Sequence, residues 1–524
     1  MPPPLIAEVD WLNLSPFLSC AAVIALVMLL WDTVEVGRND AANLINAVFG
    51  ARVLTARKAV MIAAMGVILG AALSSPVMET ARKGIFDPGM LTLRNALCVY
   101  IAVYIVDTVL LYGYSAFGMP LSTTACLVFE LLGASFALAG SEIVHWDKAR
   151  QVVFAIVASI FISGVVAFFV QRAVRGAIRD RTTHLATLLA HGGWVAGGML
   201  AGLTYFMLVK GLKHVGFVKT LNQEVVQAYG PAVSILFLWG AFAIIIHLLL
   251  VMFRKRVARH LFSVLAIIGM LAMAFAFGQN DLANCASPGL SALHLIRHSD
   301  QSVAVASEIN IPTWMLLGCG VLMVAGMLTR NARRVTSAAV HTGSMSHNIR
   351  LYAPRWCLRL ARFMLRFRRR QPALAPPATT DSTGKRMHYD VLRAAVILSV
   401  SASVIATASG FGLPVSTTYV AFAAVIATGM ADRILQRGDA DLKLARTIWV
   451  VFSWFAAAVL AAVCAGVVSR LIFQFGLWGM GIGLVANMTV RFYLGRRADR
   501  QEERVRVEAR ERRSPELFVD EDES

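Results

Sequence analysis

Charged side chains are scarce in this sequence. Asp, Glu, Lys and Arg together make up 15% of its 524 residues, whereas soluble globular domains carry about 25%. Hydrophobic residues make up 57%. The shortage of charge excludes an ordinary soluble enzyme, and the high apolar content excludes a disordered chain. The composition predicts an all-α polytopic membrane protein, because each helical crossing needs about 20 apolar residues and the chain has room for many.

Clustered cysteines and metal-binding motifs are also lacking. The seven cysteines stand singly, without a CxxC pair or another metal-ligand spacing. The sequence contains no Walker loop, no HExxH and no cluster of His and Cys. We therefore expect no cofactor and no enzymatic activity.

The charge that is present is mostly positive, with 49 Lys and Arg against 31 Asp and Glu. Its basic stretches lie between apolar runs, at 172–181, 254–260 and 329–389. This distribution predicts cytoplasmic loops facing anionic lipid headgroups, and it does not indicate a nucleic-acid partner.

The apolar runs predict roughly 10–13 membrane segments. Two of them are too short to cross and are typical of half-spans or re-entrant hairpin arms, namely 126–140 and 419–430. The predicted organisation is a first segment (1–30), a first repeat (31–210), connecting spans (211–260), a second repeat in two parts (261–328 and 390–492) separated by a basic loop (329–389), and a charged tail (493–524).

Two different polar motifs occur twice, in the same order. The sequence GRNDAAN of Gly37–Asn43 recurs as GQNDLAN at Gly278–Asn284, 241 residues later. The sequence FGMPLSTT of Phe117–Thr124 recurs as FGLPVSTT at Phe411–Thr418, 294 residues later. The 53-residue difference approximates the length of the 329–389 insert. Polar interruptions at corresponding places in two halves point to a transporter site near the middle of the membrane.

The first motif has the chemistry of a cation site. Asn39, Asp40 and Asn43 share one face of a helix. A carboxylate with amide oxygens suits a small hard cation, although a simple helix-capping turn would also use Asp or Asn.

The second motif has the chemistry of an anion site. Gly and Pro break the helix, and Pro120 or Pro414 can begin the next one. Ser-Thr-Thr then lies at a helix N-terminus, whose free N–H groups favour an anion. The alternative is that these hydroxyls bond back to their own helix.

The two motifs together predict coupled binding. Asp40 and Asp281 would repel an anion beside them, strongly so in a medium of low dielectric constant. Cations or protons on the two aspartates would cancel that repulsion, so that the anion binds well only with its co-ion. Asp107 and Glu130 lie in apolar runs without a repeat partner and are candidates for tuning the site or taking protons. Arg38 is expected to pair with Glu35.

With these motifs the chain resembles the inorganic phosphate transporter (PiT) family, whose elements read close to GANDVANA and PxSTTH. The matching segments are GRNDAANLINAVFG, GQNDLANCASPG, GMPLSTT and GLPVSTT. The resemblance implies two inverted repeats with re-entrant helical hairpins in the plasma (inner) membrane. It also implies phosphate import by symport with sodium or protons. Carried over by position, it assigns phosphate binding to Asp40, Asn43, Ser122, Thr123, Thr124, Asp281, Asn284, Ser416, Thr417 and Thr418, and the coupling cation to Asn39, Asp40, Asn280 and Asp281.

The sequence departs from the family at a few positions near the site. Ala125 and Tyr419 stand where the family usually has His, and Arg38 and Gln279 replace a small residue. These departures leave open the coupling ion and the oxyanion, so a sulfate or related permease on the same scaffold is the alternative. A membrane enzyme acting on phosphate esters and a receptor that only senses the anion are alternatives from other classes. The oligomeric state, including a homodimer, also stays open.

Overall fold

The computed structural model describes residues 15–74, 85–86, 91–212, 215–297, 312–344, 353–366, 387–432 and 440–511. Within these ranges the chain is helical, apart from turns, loops and an isolated bridge between Phe86 and Val144. The all-α prediction is confirmed.

Within the described residues, the first half contains six long helices followed by a short irregular connection. The helices are α1 (Pro16–Gly50), α2 (Ala56–Ala71), α3 (Leu93–Ala116), α4 (Thr123–Ala139), α5 (Trp146–Ile178) and α6 (Leu185–Thr204). The connection consists of a π-helical segment (Tyr205–Gly211), α7 (Gly216–Leu221), a second π-helical turn (Asn222–Val226) and a single turn (Gln227–Tyr229).

The second half begins inside a 67-residue helix. The helices are α8 (Pro231–Arg297), α9 (Thr313–Met327), α10 (Arg330–Thr342), α11 (Arg355–Leu365), α12 (Val391–Gly410), α13 (Thr417–Ala431), α14 (Ala440–Phe475) and α15 (Leu477–Glu511). The backbone of α8 bends at Arg254, where φ is +40°. The element therefore consists of two helices that meet at a kink, at the start of the basic stretch 254–260 that the sequence predicts as a loop.

Seven of the described helices are long and apolar enough to cross a membrane, and the α9–α10 pair, bent by 68°, brings the number to eight. The helices α4 and α13 are apolar but short, and they coincide with the two runs predicted as half-spans. Counted together with these two short helices, the eight candidate spans make ten segments, at the lower end of the predicted range of roughly 10–13. The inverted relation of the halves stays a prediction.

The duplicated N-D-x-A-N motifs lie in the later parts of α1 and α8, where these helices are buried on all sides. The helix α1 exposes Val23 and Val27 in its first half, but the residues from Asn39 to Ala47 are buried. The helix α8 likewise exposes Phe237 and Ile244 and buries the residues from Ala276 to Ile296. A helix without an exposed face is typical of the interior of a bundle. Both motifs therefore lie away from lipid.

The first glycine of each motif lets a helix of the opposite half pack closely. A Cβ atom built on Gly37 in α1 would overlap the backbone carbonyl of Met323 in α9, and one built on Gly278 in α8 would overlap that of Val67 in α2. Small residues are the usual means of close helix approach in membranes. The two halves are thus interlocked through their motif helices.

The segment predicted as a basic loop begins as ordered structure. The helix α10 buries Ala332, Val335, Thr336 and Val340, because it packs against α1 and α3. The helix α11 is amphipathic, with Cys357 and Ala361 buried against α14 and Phe363 exposed. The Pro-rich part of the loop, from residue 367 to 386, lies outside the described residues.

Candidate functional site

The chain reverses twice in the same way, once in each half. After α3 and after α12 a glycine takes a positive φ, +66° at Gly118 and +68° at Gly412, a conformation that glycine adopts without steric cost. Two residues later comes the motif proline, and then a serine that caps the next helix. Ser122 accepts a hydrogen bond from the N–H of Ala125, and Ser416 from that of Tyr419, both at 3.1 Å. The Thr-Thr pairs therefore form the first turns of α4 and α13.

The first asparagine of each N-D-x-A-N motif holds the reversal of its own half. The Asn39 amide donates to the carbonyl of Leu121 at 2.6 Å and accepts from its N–H at 3.2 Å. Asn280 makes the same pair with Val415, at 2.6 and 3.2 Å. Each asparagine side chain thus forms two hydrogen bonds with the backbone of a single residue, one to its carbonyl and one from its N–H. This pairing fixes the start of each short helix against the motif helix.

The aspartates contact the threonines of the opposite half. The Thr418 hydroxyl donates to Asp40 Oδ1 at 2.8 Å. The Thr123 and Thr124 hydroxyls lie 3.4 and 3.5 Å from Asp281 Oδ1. Asp281 also accepts from Thr417 of its own half, at 2.6 Å on Oδ2. The site is therefore assembled from both halves.

The second asparagine of each motif links these groups. Asn43 donates to Asp40 Oδ1 at 2.7 Å and lies 2.9 Å from Thr418 Oγ1. Asn284 donates to Asp281 Oδ1 at 2.8 Å and lies 2.9 Å from Thr124 Oγ1. The two networks are related by the internal repeat.

Negative charge in the site is not balanced by a basic side chain. Asp40 and Asp281 are both fully buried, and the charge of Asp281 acts on Asp40. Neither aspartate takes part in an ion pair formed by the residues that the structure describes. Asp40 Oδ2 and Asn284 Oδ1 are buried oxygens without a hydrogen-bond donor. Free carboxylate and amide oxygens are ligands that suit a small hard cation or a proton.

The structure brings the twelve predicted site residues into one region. Ser122 and Ser416 are helix caps there, whereas the other ten take part in the two networks around Asp40 and Asp281. Sequence reasoning missed Ser115 and Ser409, whose hydroxyls approach the Asn39 and Asn280 carbonyl oxygens at 3.5 and 3.4 Å. Ser115 and Ser409 are 294 residues apart, which is also the shift of the second motif, so extending that repeat by two residues would have identified them.

Arg38 pairs with Glu35 as expected, with 2.7 Å from Nη1 to each carboxylate oxygen. The sequence did not predict a second arginine on the same carboxylate. Arg491 of α15 also donates to Glu35, and its guanidinium lies over the rings of Trp31 and Tyr112. Arg491 lies outside the duplicated motifs, so the repeat gave no signal for it.

Comparison with known proteins finds similarity to phosphate transporters both in sequence and in structure. The model of the phosphate transporter family matches residues 36–343 and 378–469. A "Putative phosphate permease" of Pyrococcus abyssi is 26% identical over 480 residues, which cover 90% of this chain and all of that protein. One of Haemophilus influenzae is 25% identical over 433 residues, covering 80% and 89%. A solved structure titled "The sodium-dependent phosphate transporter" has the same fold, with a TM-score of 0.64, 21% identity, and coverage of 87% of this chain and 100% of that one.

Proposed function

This chain belongs to the phosphate transporter family, and we propose that it imports inorganic phosphate across the plasma (inner) membrane by symport with sodium ions or protons. The single observation that carries the proposal is the exchange of contacts between the halves. Thr418 bonds to Asp40, while Thr124 and Asn284 meet at Asp281. A site made by two halves is exposed to one side or the other as the halves move, which is the basis of alternating access.

The cation is assigned to the motif helices. Asn39 and Asp40 in α1, with Asn280 and Asp281 in α8, supply the oxygens that would hold it. The buried and donor-free Asp40 Oδ2 supports this assignment. A buried carboxylate is costly in a membrane, about 2.5–3.5 kcal/mol on insertion scales, so a bound cation or proton stabilises the loaded state.

The anion is assigned to the facing first turns of α4 and α13. Thr123, Thr124, Thr417 and Thr418 present hydroxyls there, with Ser122 and Ser416 shaping the turns and Asn43 and Asn284 beside them. The N–H groups of a first helical turn and its positive dipole end favour an anion. The charged aspartates repel the anion until a cation or proton neutralises them, and this repulsion makes anion binding depend on cation binding.

Phosphate is favoured over sulfate by the acceptors in the site. A protonated phosphate can donate a hydrogen bond to a carboxylate, whereas sulfate at neutral pH cannot. Since Asp40 has a free oxygen, it can accept from phosphate whenever the coupling ion is held elsewhere in the site.

The test is uptake of labelled phosphate by purified protein in sealed liposomes, with a sodium gradient, a proton gradient or neither, and with sulfate as competitor. Gradient-driven uptake that sulfate does not inhibit supports the proposal and names the ion. Inhibition by sulfate, followed by direct sulfate uptake, would replace phosphate with the broader oxyanion class. Phosphate binding without uptake of either anion in sealed vesicles would instead support a sensor.

A further inference from the structure

A second group of buried acids lies outside the site described above. Asp32 of α1, Asp107 of α3 and Glu130 of α4 are each at most 1% exposed. Both oxygens of Asp32, both of Glu130 and Oδ1 of Asp107 are buried without a hydrogen-bond donor. The segments that carry Asp32 and Asp107 lie side by side, because Arg491 donates both to Glu35, three residues after Asp32, and to the carbonyl of Thr108, next to Asp107.

The arginines that lie beside this group are engaged elsewhere. Arg491 is the cation that acts on Asp32, but its guanidinium donates to Glu35 and to the Thr108 carbonyl. Arg38 is likewise paired with Glu35. Glu35 on α1, which is paired with these two arginines, is a further acid that faces Asp32 and Asp107. The remaining titratable groups that face the three acids are Tyr104 on α3, Cys126 on α4, Cys285 on α8, Cys319 on α9 and Cys464 on α14. They are neutral in their ordinary protonation state and supply no compensating charge.

The fold itself does not require these acids. By the repeat spacing, the positions of Asp32, Asp107 and Glu130 correspond to Met273, Ser401 and Ala424 in the second half. Those three residues are also buried. The same places in the scaffold are thus filled by uncharged side chains in one half. Acidic residues in only one half are better explained by a function than by packing, because buried ionisable groups in a membrane are costly.

The arrangement fits a proton better than a metal ion. Among the residues that the structure describes, no three His, Cys, Asp or Glu side chains are placed to hold a metal ion. A proton needs only a carboxylate oxygen that has no other donor, and Asp32 and Asp107 both provide one. Two buried carboxylates on adjacent helices favour sharing one proton, because it is costly for both to remain charged.

We propose that Asp32, Asp107 and Glu130 form a proton-binding site, separate from Asp40 and Asp281, and that its loading and release accompany transport of the anion. This inference rests on the proposed function and deepens it. The step is the addition of one proton to a carboxylate oxygen of the Asp32–Asp107 pair, with later loss to the other side of the membrane. It needs no other reactant. Glu130 is the neighbouring acceptor through which the proton can pass.

The location of the group explains how it can act on the site. Asp32 precedes Asp40 by eight residues on the same helix, about 12 Å at 1.5 Å per residue. Glu130 follows Thr123 and Thr124 on α4. The helices that carry the acids are thus those that carry the cation and anion ligands. Changing the charge of the group alters the electrostatic field at both ligands with little screening from solvent.

The experiment measures phosphate uptake and proton entry together, in liposomes loaded with a pH-sensitive dye, across a series of external pH values. The variants are Asp32→Asn, Asp107→Asn and Glu130→Gln. The matched control is Ser401→Ala, at the position in the second half that corresponds to Asp107. We expect wild-type uptake to fall as pH rises, approaching a limiting slope of about tenfold per pH unit for one proton. Each acid variant should flatten that profile and lower the number of protons per phosphate, whereas Ser401→Ala should match the wild type.

The outcomes separate the two proposals. Absence of phosphate uptake by the wild type would refute the proposed function. If the wild type takes up phosphate but the variants keep its pH profile and its number of protons per phosphate, the proton site is refuted and the proposed function is not. The ionisation of phosphate changes with pH in the same way for the wild type and the variants, so it does not affect the comparison between them. Should Asp107→Asn not assemble, as judged by gel filtration, Asp32→Asn and Glu130→Gln decide the question on the same readouts.

Discussion

Thr418 donates a hydrogen bond to Asp40 at 2.8 Å, although 378 residues separate them in the chain. The bond joins the first turn of α13 in the second half to the middle of α1 in the first. A movement that separates the halves must break it and expose a carboxylate. The strength of this contact therefore contributes to the equilibrium between the closed site and its open forms.

Replacing the Thr418 hydroxyl should weaken the closed site. In Thr418→Val the shape is kept, but Asp40 loses a donor, and a hydrogen bond to a charged group contributes about 1.5–3 kcal/mol. We expect the apparent phosphate affinity in liposome uptake to fall by at least about tenfold. Thr407→Val is the matched control, because the Thr407 hydroxyl bonds to Ser403 of its own helix. Equal affinities for both variants would contradict the role of the contact.

Neutralising either central aspartate should abolish coupled uptake. Asp40→Asn and Asp281→Asn remove the charge to which we assign cation binding while keeping the side-chain size, so the protein should still assemble in the membrane. Labelled phosphate uptake and gel filtration measure the two properties. Asp147→Asn is the matched control, because it makes the same substitution at an exposed residue. Wild-type uptake in a central variant would refute the assignment of that aspartate.

Adding a methyl group at the motif glycine should destabilise the interlocked helices. In Gly37→Ala the new Cβ would meet the Met323 carbonyl, and overpacking typically costs 1–3 kcal/mol. A lower midpoint of thermal unfolding in detergent would show it. Gly240→Ala lies on the same kind of helix with no neighbour around its Cβ, and we expect it to be neutral or slightly stabilising. A result in which both variants unfold at the same temperature would count against the close approach.

The charged tail helix should be held by ion pairs that depend on pH. Arg334 of α10 donates to Asp499 at 2.6 Å and also to Glu502, both on α15. The hydrogen bond from Arg334 lowers the pKa of Asp499 below its usual value. The pairing therefore stabilises the fold fully above the unfolded pKa of about 3.9 and is lost as pH falls through the lower folded value.

The measurement is protease cleavage of the tail at neutral pH and near pH 3. We expect cleavage to increase at the lower pH in the wild type and to change less in Arg334→Ala. The effect should be below about 1 kcal/mol, because exposed ion pairs contribute little. A tail that is equally resistant at both pH values would exclude this contact as its anchor.

The sequence was sufficient to predict which residues lie together in the candidate site, but not how they pair. The repeated motifs placed Asp40 and Asp281 on helices and Ser-Thr-Thr at helix starts, because these features depend on local spacing. They could not show that Thr418 meets Asp40, since that contact depends on how the halves pack. The basic stretch from Arg254 indicated a break between two apolar runs, and the backbone of α8 does leave the helical conformation at Arg254. The burial of α10 followed from packing against α1, which no local pattern encodes.

The interlocking of α1 with α9 has a consequence for biosynthesis. The face of α1 around Gly37 is covered by residues near Met323, which leave the ribosome hundreds of residues later. Until then, this face of α1 lacks its packing partner within the bilayer. The chain length at which α9 is synthesised therefore sets the earliest point at which the first half can complete its packing. Co-expressed halves should rescue one another, and either half alone should be degraded.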